Sequence, residues 1–340
     1  MQIKFFTIAI PTFNRTNSLK NLLGSLISEI DKLEKHNHEF RLNILISINS
    51  GADPREELFE EFKLIKNNKN VNELKVIYRP INLLFAGHIS QIYADCKKGY
   101  IWFIGDDDVI IPGALSYIFK VLKKLNKEYK SKSFLPPIYG KWKNINESFT
   151  LEYKHNLYDY LDIDSFCSLK DSIFFISATI MYKEEDSFIP PIYGFTQLFG
   201  LLYQGIKANQ FIRLNYPIIA YNPVSRYKSN WLNLFFYHLP NALSILKSYG
   251  LSTKNIKNIV CTSLINKTAL KTTFYIANQS AFEDKFYAIA SIYKFRKFYK
   301  IWSYPYLLIL IIISSPIFPF LKSIKNLLLK IEFLIFKKKL

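Results

Sequence analysis

The sequence predicts an α/β protein with a mainly parallel sheet covered by helices on both faces. Three observations carry that prediction. Strand and helix patterns alternate four times within the first 125 residues, the strand segments read as continuous apolar runs, and the helix segments place apolar residues at three- and four-residue spacing.

Each element can be justified in turn. Phe5 to Ile10 is a short apolar run ending at Pro11, the pattern of a strand buried on both faces. Leu19, Leu22, Leu23, Leu26, Ile27 and Ile30 then form one helical stripe, opened by Thr16 or Asn17 as N-cap. Leu42 to Ile48 is the second strand. In Asp53-Pro54-Arg55-Glu56, Asp53 caps a second helix, Pro54 suits its first turn, and Leu58, Phe62 and Ile65 supply its inner face. Leu74 to Tyr78 is the third strand, followed by a helix with Ile89, Ile92, Tyr93 and Cys96 on one side that ends at Gly99. The fourth strand, Tyr100 to Ile104, delivers the chain to Asp106, Asp107 and Asp108, and Pro112 then starts a helix whose Leu115, Ile118, Phe119 and Leu122 share a face. From 126 to 230 the pattern weakens into aromatic-rich segments, and beyond Trp231 it reads as helical.

At 340 residues, 49% hydrophobic and 16% aromatic, the chain can bury a sizeable core, and its 11 Gly and 14 Pro exclude a disordered or fibrous composition. Its formal net charge is +18, from 45 Lys and Arg against 27 Asp and Glu, so the surface attracts anions. Nucleic acid is excluded as a partner, because no basic run with interleaved aromatics stands in a recognisable recognition module. The basic density coincides instead with apolar sequence near the C-terminus. There Leu307 to Ile313 is intensely apolar, but Pro305, Pro316 and Pro319 interrupt the roughly 20 residues a spanning helix needs. Downstream, Ile324, Leu327, Leu328, Ile331, Leu334 and Ile335 form a helical stripe beside Lys322, Lys325, Lys330 and Lys337 to Lys339, the arrangement of a helix lying in an anionic membrane surface. The alternative is a core-packing terminal helix with a solvated lysine tail. Cys96, Cys167 and Cys261 are odd in number and form no CxxC pair, against a disulfide framework or zinc site and in keeping with a reducing, cytoplasmic setting. FFTIAIP is too short for a secretory signal.

Asp106 to Asp108 fall at the carboxyl end of the fourth strand, the edge at which such sheets bind ligands. Adjacent carboxylates repel one another, at a cost that rises with burial, and a divalent cation removes that cost. Mg²⁺ and Mn²⁺ take oxygen ligands, and Mg²⁺ completes its shell with water and substrate phosphates around one or two carboxylates. The other reading is an acidic loop at the start of the next helix.

A strand ending in IPTFNR, a second ending in ISINSGAD, and GYIWFIGDDD after a helix together resemble the inverting glycosyltransferases of family 2, which have the GT-A (Rossmann-like) fold. The resemblance covers residues 5 to 125 well and thins out toward 231. Within the family the chain is most similar to bacterial O-antigen transferases of the abequosyltransferase type, which also carry a Gly before the aspartates. This implies transfer of a sugar from a nucleotide-diphosphate donor, with Mg²⁺ or Mn²⁺ at the acidic motif. Carried over, Thr12, Asn14 and Arg15 match the first nucleotide-contacting loop, Asp107 and Asp108 match the metal and ribose-phosphate positions, with Asp107 thus a donor contact as well, Asn49 and, ranked behind its two neighbours on a variable position, Asp106 are further donor contacts, and Arg79 matches a basic residue near the base. Three positions depart from the pattern. Ile48 stands where the family has a base-pairing Asp, His88 replaces an expected Asn, and Gln197 in GFTQLFG replaces the acid that commonly serves as general base. The base is therefore sought in Glu184, Glu185 and Asp186, with Asp186 first and Glu185 next. Arg226, with Lys228 in SRYKSNW, matches a flexible loop that neutralises the leaving diphosphate.

The domain expectation is a nucleotide-sugar-binding half at 1–125, the acceptor-side half of the same domain at 126–230, and a helical, basic and apolar membrane-associating region at 231–340. The implied acceptor is a lipid-linked glycan or oligosaccharide. The implied setting is the cytoplasmic face of the inner membrane, peripheral or monotopic, in bacterial surface polysaccharide synthesis. A nucleotidyltransferase is the competing enzyme class, but IPTFNRTNS lacks its Gly-rich phosphate loop. Ile48 and Gln197 leave open a degenerate protein that binds a nucleotide sugar or a partner without catalysis.

Overall fold

The computed structural model describes residues 5–33, 40–128, 135–144, 156–169, 176–185, 187–192, 194–221, 232, 234–264 and 282–299. β1 (Phe5–Thr12), β2 (Arg41–Asn49), β3 (Val71–Arg79) and β4 (Gly99–Phe103) run parallel in the order β3-β2-β1-β4. The crossover helices are α1 (Thr16–Asp31), α2 (Phe59–Lys66) and α3 (Leu84–Asp95). Right-handed connections put α1 and α2 on one face, and because β4 lies on the far side of β1, α3 covers the other. The contacts agree: α1 packs against α2 and α4 (Ala114–Glu128), and α3 packs against α6 (Thr196–Ala208).

Beyond β4 the sheet changes character. β5 (Val109–Ile110), β6 (Ile138–Asn144), β7 (Tyr158–Leu161), β8 (Thr179–Lys183) and β9 (Phe211–Tyr221) extend it to nine strands, and α5 (Ile163–Cys167) is a short helix between β7 and β8. β8 is antiparallel to β4 and β6, β9 is antiparallel to β5 and β7, and only the β6–β9 pairing is parallel. The mainly parallel expectation therefore holds for the first half alone, and the sheet as described is mixed. Antiparallel neighbours need no crossover helix between them, so the helices of this half, α4, α5 and α6, do not mark out parallel strand-helix-strand units as those of the first half do.

The core forms where the sequence places its apolar stripes. Leu19, Leu22, Leu23, Leu26 and Ile30 of α1 are fully buried against Phe6, Ile8 and Ile10 of β1 and Ile44 and Ile46 of β2. Each such side chain contributes about 1.5–3 kcal/mol relative to exposure. Trp102 of β4 is wholly buried, and its indole N–H donates to the Ser177 carbonyl at 2.7 Å, which satisfies the ring's one polar group.

Element boundaries differ from expectation at four places. Arg15, and neither Thr16 nor Asn17, is the N-cap of α1. α2 starts at Phe59, and Asp53 caps no helix: its carboxylate accepts from the Arg55 N–H at 3.1 Å and pairs with the Arg55 guanidinium. Gly99 opens β4 at φ +142°, where a Cβ would lie 2.4 Å from the Phe5 carbonyl oxygen. α4 begins at Ala114, two residues after Pro112, and its cap comes from another helix: the buried Glu29 of α1 accepts from the N–H groups of Gly113 (2.8 Å) and Leu115 (3.2 Å).

The chain divides into two units, 1–225 with 245–251, and 226–244 with 252–340, and the sheet belongs to the first. Helices Thr253–Leu264 and Phe282–Lys294 lie in the second. Among the described residues no helix is long and apolar enough to cross a membrane. The apolar and lysine-rich stretch at 304–340 lies outside the described residues.

Candidate active site

β1 and β4 are neighbours with Ala9 opposite Phe103, so Thr12 and the loop that follows β4 emerge at the same edge of the sheet. There the Thr12 hydroxyl donates to Asp106 Oδ2 at 2.7 Å. Arg15 Nη1 bridges Asp106 Oδ1 and Asp107 Oδ2, both at 2.9 Å. Arg15 reaches them because it caps α1: its carbonyl accepts the Leu19 N–H at 2.9 Å, which fixes its backbone at the start of the helix.

The three aspartates have different surroundings. Asp106 and Asp108 are each 4% exposed, whereas the Asp107 side chain is 42% exposed. Burial raises the Asp106 carboxyl above its ordinary value, opposed by the Arg15 charge and the Thr12 hydrogen bond. Burial pushes Asp108 up to about 8, with the charges of Asp107 and Asp106 adding to it and a hydrogen bond from the Ser177 hydroxyl opposing it. Gly105 leaves a space between them. A Cβ there would lie 3.1 Å from Asp108 Oδ2 and 3.2 Å from Asp107 Oδ1, so one oxygen of each carboxylate borders the same small volume.

That arrangement suits a hard divalent cation. Two carboxylate oxygens converge, one of them reachable from solvent, and the guanidinium of Arg15 is shared between Asp106 and Asp107. Among the described residues no group of three or more His, Cys, Asp or Glu side chains converges, so the protein would provide two ligands and leave the rest to phosphate and water.

The loops at this edge are tied together. Asn14, in the left-handed region at φ 53°, accepts the Ala52 N–H on its side-chain oxygen at 2.9 Å, above Gly51, where a Cβ would collide with it at 2.0 Å. Asn49 Oδ1 accepts the Leu83 N–H at 2.9 Å, and its Nδ2 donates to Asn82 Oδ1 at 3.0 Å. Both asparagines thus hold neighbouring loops in register, a role that the sequence reading, which took them as donor contacts, did not anticipate.

Comparison with known proteins decides the affiliation. The model of the glycosyl transferase family 2 matches residues 7–183, more than half of the chain, from within β1 to the end of β8. The chain belongs to glycosyl transferase family 2. No curated protein matches at a significant level. Among solved structures it is similar to TarS of S. aureus, at 13% identity and TM-score 0.52 over 86% of this chain and 54% of that one, so the chain spans about half the length of that relative. The structures of TarS 1–349 in complex with UDP (13% identity, TM-score 0.51, 86% of this chain and 88% of that one) and with UDP-GlcNAc (12%, 0.50, 86% and 89%) are similar in the same way. At these identities the likeness is one of fold.

The remaining residues that the family resemblance pointed to are not brought to the aspartates. The Arg79 guanidinium donates to Ser47 Oγ at 2.9 Å and pairs with Asp95 at the end of α3, with its side chain 13% exposed. It is committed to holding α3 on the sheet. His88, also on α3, is 3% exposed and bonds Ser47 Oγ at 2.9 Å; burial, aided by the Arg79 charge, lowers its imidazole to about 4. It is neutral and satisfied. Ile48 is buried in β2, consistent with a position that does not reach a base.

The expectation for Glu185 needs correction. β8 runs antiparallel to β4 with Lys183 opposite Gly99, so Glu184 and Glu185 leave the sheet at the amino edge of β4. At about 3.3 Å per residue, β4 separates them from the acidic motif by on the order of 15 Å. Glu184 instead pairs with Lys98 at 3.3 Å and borders a cavity of about 90 Å³ with Tyr93, Tyr182 and Gln204. Gln197, in the first turn of α6, is buried. Asp186 and Arg226 lie outside the described residues. Sequence reasoning missed Ser177, which touches both Gly105 and Asp108; a lone serine in a segment without clear periodicity carries no signal of its own.

Proposed function

We propose that the protein is a metal-dependent inverting glycosyltransferase that moves a hexosyl or deoxyhexosyl group from a nucleotide-diphosphate donor to a polyprenyl-linked glycan. The observation that carries this reading is the cluster of Thr12, Arg15, Asp106 and Asp107 beside the space over Gly105. In the reaction the anomeric carbon–phosphate bond breaks, the nucleoside diphosphate departs with the electron pair, and an acceptor hydroxyl attacks from the opposite side and gives up its proton. Thr12 and Arg15 fix the orientation of Asp106, and the Arg15 charge favours a diphosphate at this edge. Asp107 and Asp108 would hold Mg²⁺ or Mn²⁺, which when bound stabilises charge on the departing diphosphate. The placement of Glu185 argues against it as the base. Arg226 remains the candidate for neutralising the leaving group, on the match of SRYKSNW alone.

A lipid-linked acceptor, a bacterial surface polysaccharide of O-antigen or capsule type, and work at the cytoplasmic face of the inner membrane are supported by the basic, apolar sequence at 304–340. That stretch would bring the cleft to an acceptor anchored in an anionic surface.

The test is hydrolysis of UDP-, dTDP-, GDP- and CDP-sugars with and without Mn²⁺. UDP-GlcNAc comes first, because TarS has been solved with it. The proposal expects one donor class to be hydrolysed only when metal is present. Binding without hydrolysis, in any metal condition, would favour the degenerate, non-catalytic alternative.

A further inference from the structure

Ser177 lies in the 3-10 turn Ile176–Ala178 that leads into β8, on the acceptor-side half of the sheet, and is wholly buried. Among the described residues, three hydrogen bonds join it to β4 or the acidic loop. The Trp102 indole N–H donates to its carbonyl at 2.7 Å, the Gly105 backbone N–H donates to its hydroxyl oxygen at 2.7 Å, and its hydroxyl donates to Asp108 Oδ2. The loop itself closes with the Asp108 N–H donating to the Gly105 carbonyl at 3.2 Å.

The direction of the hydroxyl proton follows from this set. A serine hydroxyl has one hydrogen to give and two lone pairs to receive with. The Gly105 amide has only a hydrogen to give, so it must occupy a lone pair, and the hydroxyl hydrogen goes to Asp108 Oδ2 when that carboxyl is ionised, the form that would bind a cation. One side chain therefore fixes both ends of the Gly105–Asp108 turn. It sets the height of the backbone at Gly105, whose missing Cβ opens the space over the motif, and it pins one oxygen of Asp108 at the border of that space.

We infer that Ser177 is a positioning residue for cation binding, holding the Asp108 carboxylate in the orientation that the Asp107–Asp108 pair needs. The inference rests on the metal reading of that pair. Ser177 itself is no ligand: it acts from the neighbouring half of the sheet through Asp108, as residues that hydrogen-bond a metal ligand commonly do, and loss of such a partner typically costs 10–100-fold in affinity. A serine that only stabilised the fold by joining β8 to β4 would, when removed, lower the unfolding midpoint and leave the cation affinity of the folded fraction intact.

Mn²⁺ binding to the full chain, followed by electron paramagnetic resonance with no nucleotide present, separates these roles. Ser177→Ala is expected to bind Mn²⁺ at least about tenfold more weakly than the wild type. Ser177→Thr, which keeps the hydroxyl, is expected to stay within about threefold of it. Should Ser177→Ala fail to fold, Ser177→Cys decides, since it keeps the bulk with a much weaker donor and is expected to show the same weakening. Unchanged Mn²⁺ affinity in the folded Ala or Cys variant, with wild-type binding intact, overturns the inference alone. Failure of the wild type to bind Mn²⁺ both alone and with UDP added to supply phosphate oxygens overturns the metal reading of Asp107 and Asp108, and the inference with it.

Discussion

Arg15 sets one positive charge against the three carboxylates that follow β4, and the consequences differ from residue to residue. Asp106 pairs with that guanidinium and accepts a hydrogen bond from Thr12, Asp107 shares the guanidinium and faces solvent, and Asp108 has the Ser177 hydroxyl. Thr12, Arg15 and the aspartates were legible in the sequence because each stands in a short motif at the end of an apolar run. Arg79, which the resemblance placed near the base, is held by Ser47 and Asp95, partners that no local pattern in the sequence announces. His88 supplies a pH prediction at this scale. Its folded value of about 4 lies below its ordinary value of 6.5, so between those two the unfolded chain binds a proton that the folded chain refuses. Stability is therefore full above about pH 6.5, falls as pH drops toward 4, and loses up to about 3 kcal/mol to this group. His88→Gln should lose less stability than the wild type between pH 7 and pH 4.5 in urea unfolding; an equal loss in both proteins would contradict the assignment.

At the scale of elements, α1 acts as a bracket for the acidic loop. Its N-cap Arg15 bonds the aspartates, Ser25 Oγ accepts the Ile110 N–H at 3.1 Å, and Glu29 receives the first amides of α4. The apolar stripe of α1 was plain in the sequence, but this polar line was not, because its partners lie about 85 residues away and no local pattern links them. Asp53-Pro54-Arg55-Glu56 shows the converse error: a good local start signal that the chain uses for a turn, with α2 beginning later at Phe59. Glu29→Gln replaces one acceptor with a donor that faces an N–H group, and it is expected to cost about 1–3 kcal/mol. Denaturant unfolding that shows no drop in midpoint would mean that Glu29 does not carry the start of α4.

For the whole molecule, what was legible was the half built by strand-helix alternation. Four parallel strands, their order of burial and the edge that carries the site all follow from apolar runs and helical spacing. The mixed half was not legible, since β6 to β9 pair mostly antiparallel and draw their partners from distant parts of the chain, so that neighbours along the sequence are not neighbours in the sheet. That topology also moves Glu185 to the far edge of the sheet from the aspartates, which no reading of spacing along the chain could reveal. The account as a whole makes the acidic loop a cation-dependent donor site set at the parallel half and steadied from the mixed half. Its most direct test is Asp107→Ala, assayed for Mn²⁺-dependent hydrolysis of the donor that the wild type prefers, with circular dichroism as the check on folding. Asp107 is half exposed and outside the core, so the variant should fold as the wild type does and lose at least about a hundredfold in metal-dependent turnover. A folded Asp107→Ala protein with undiminished, Mn²⁺-dependent turnover would contradict the account.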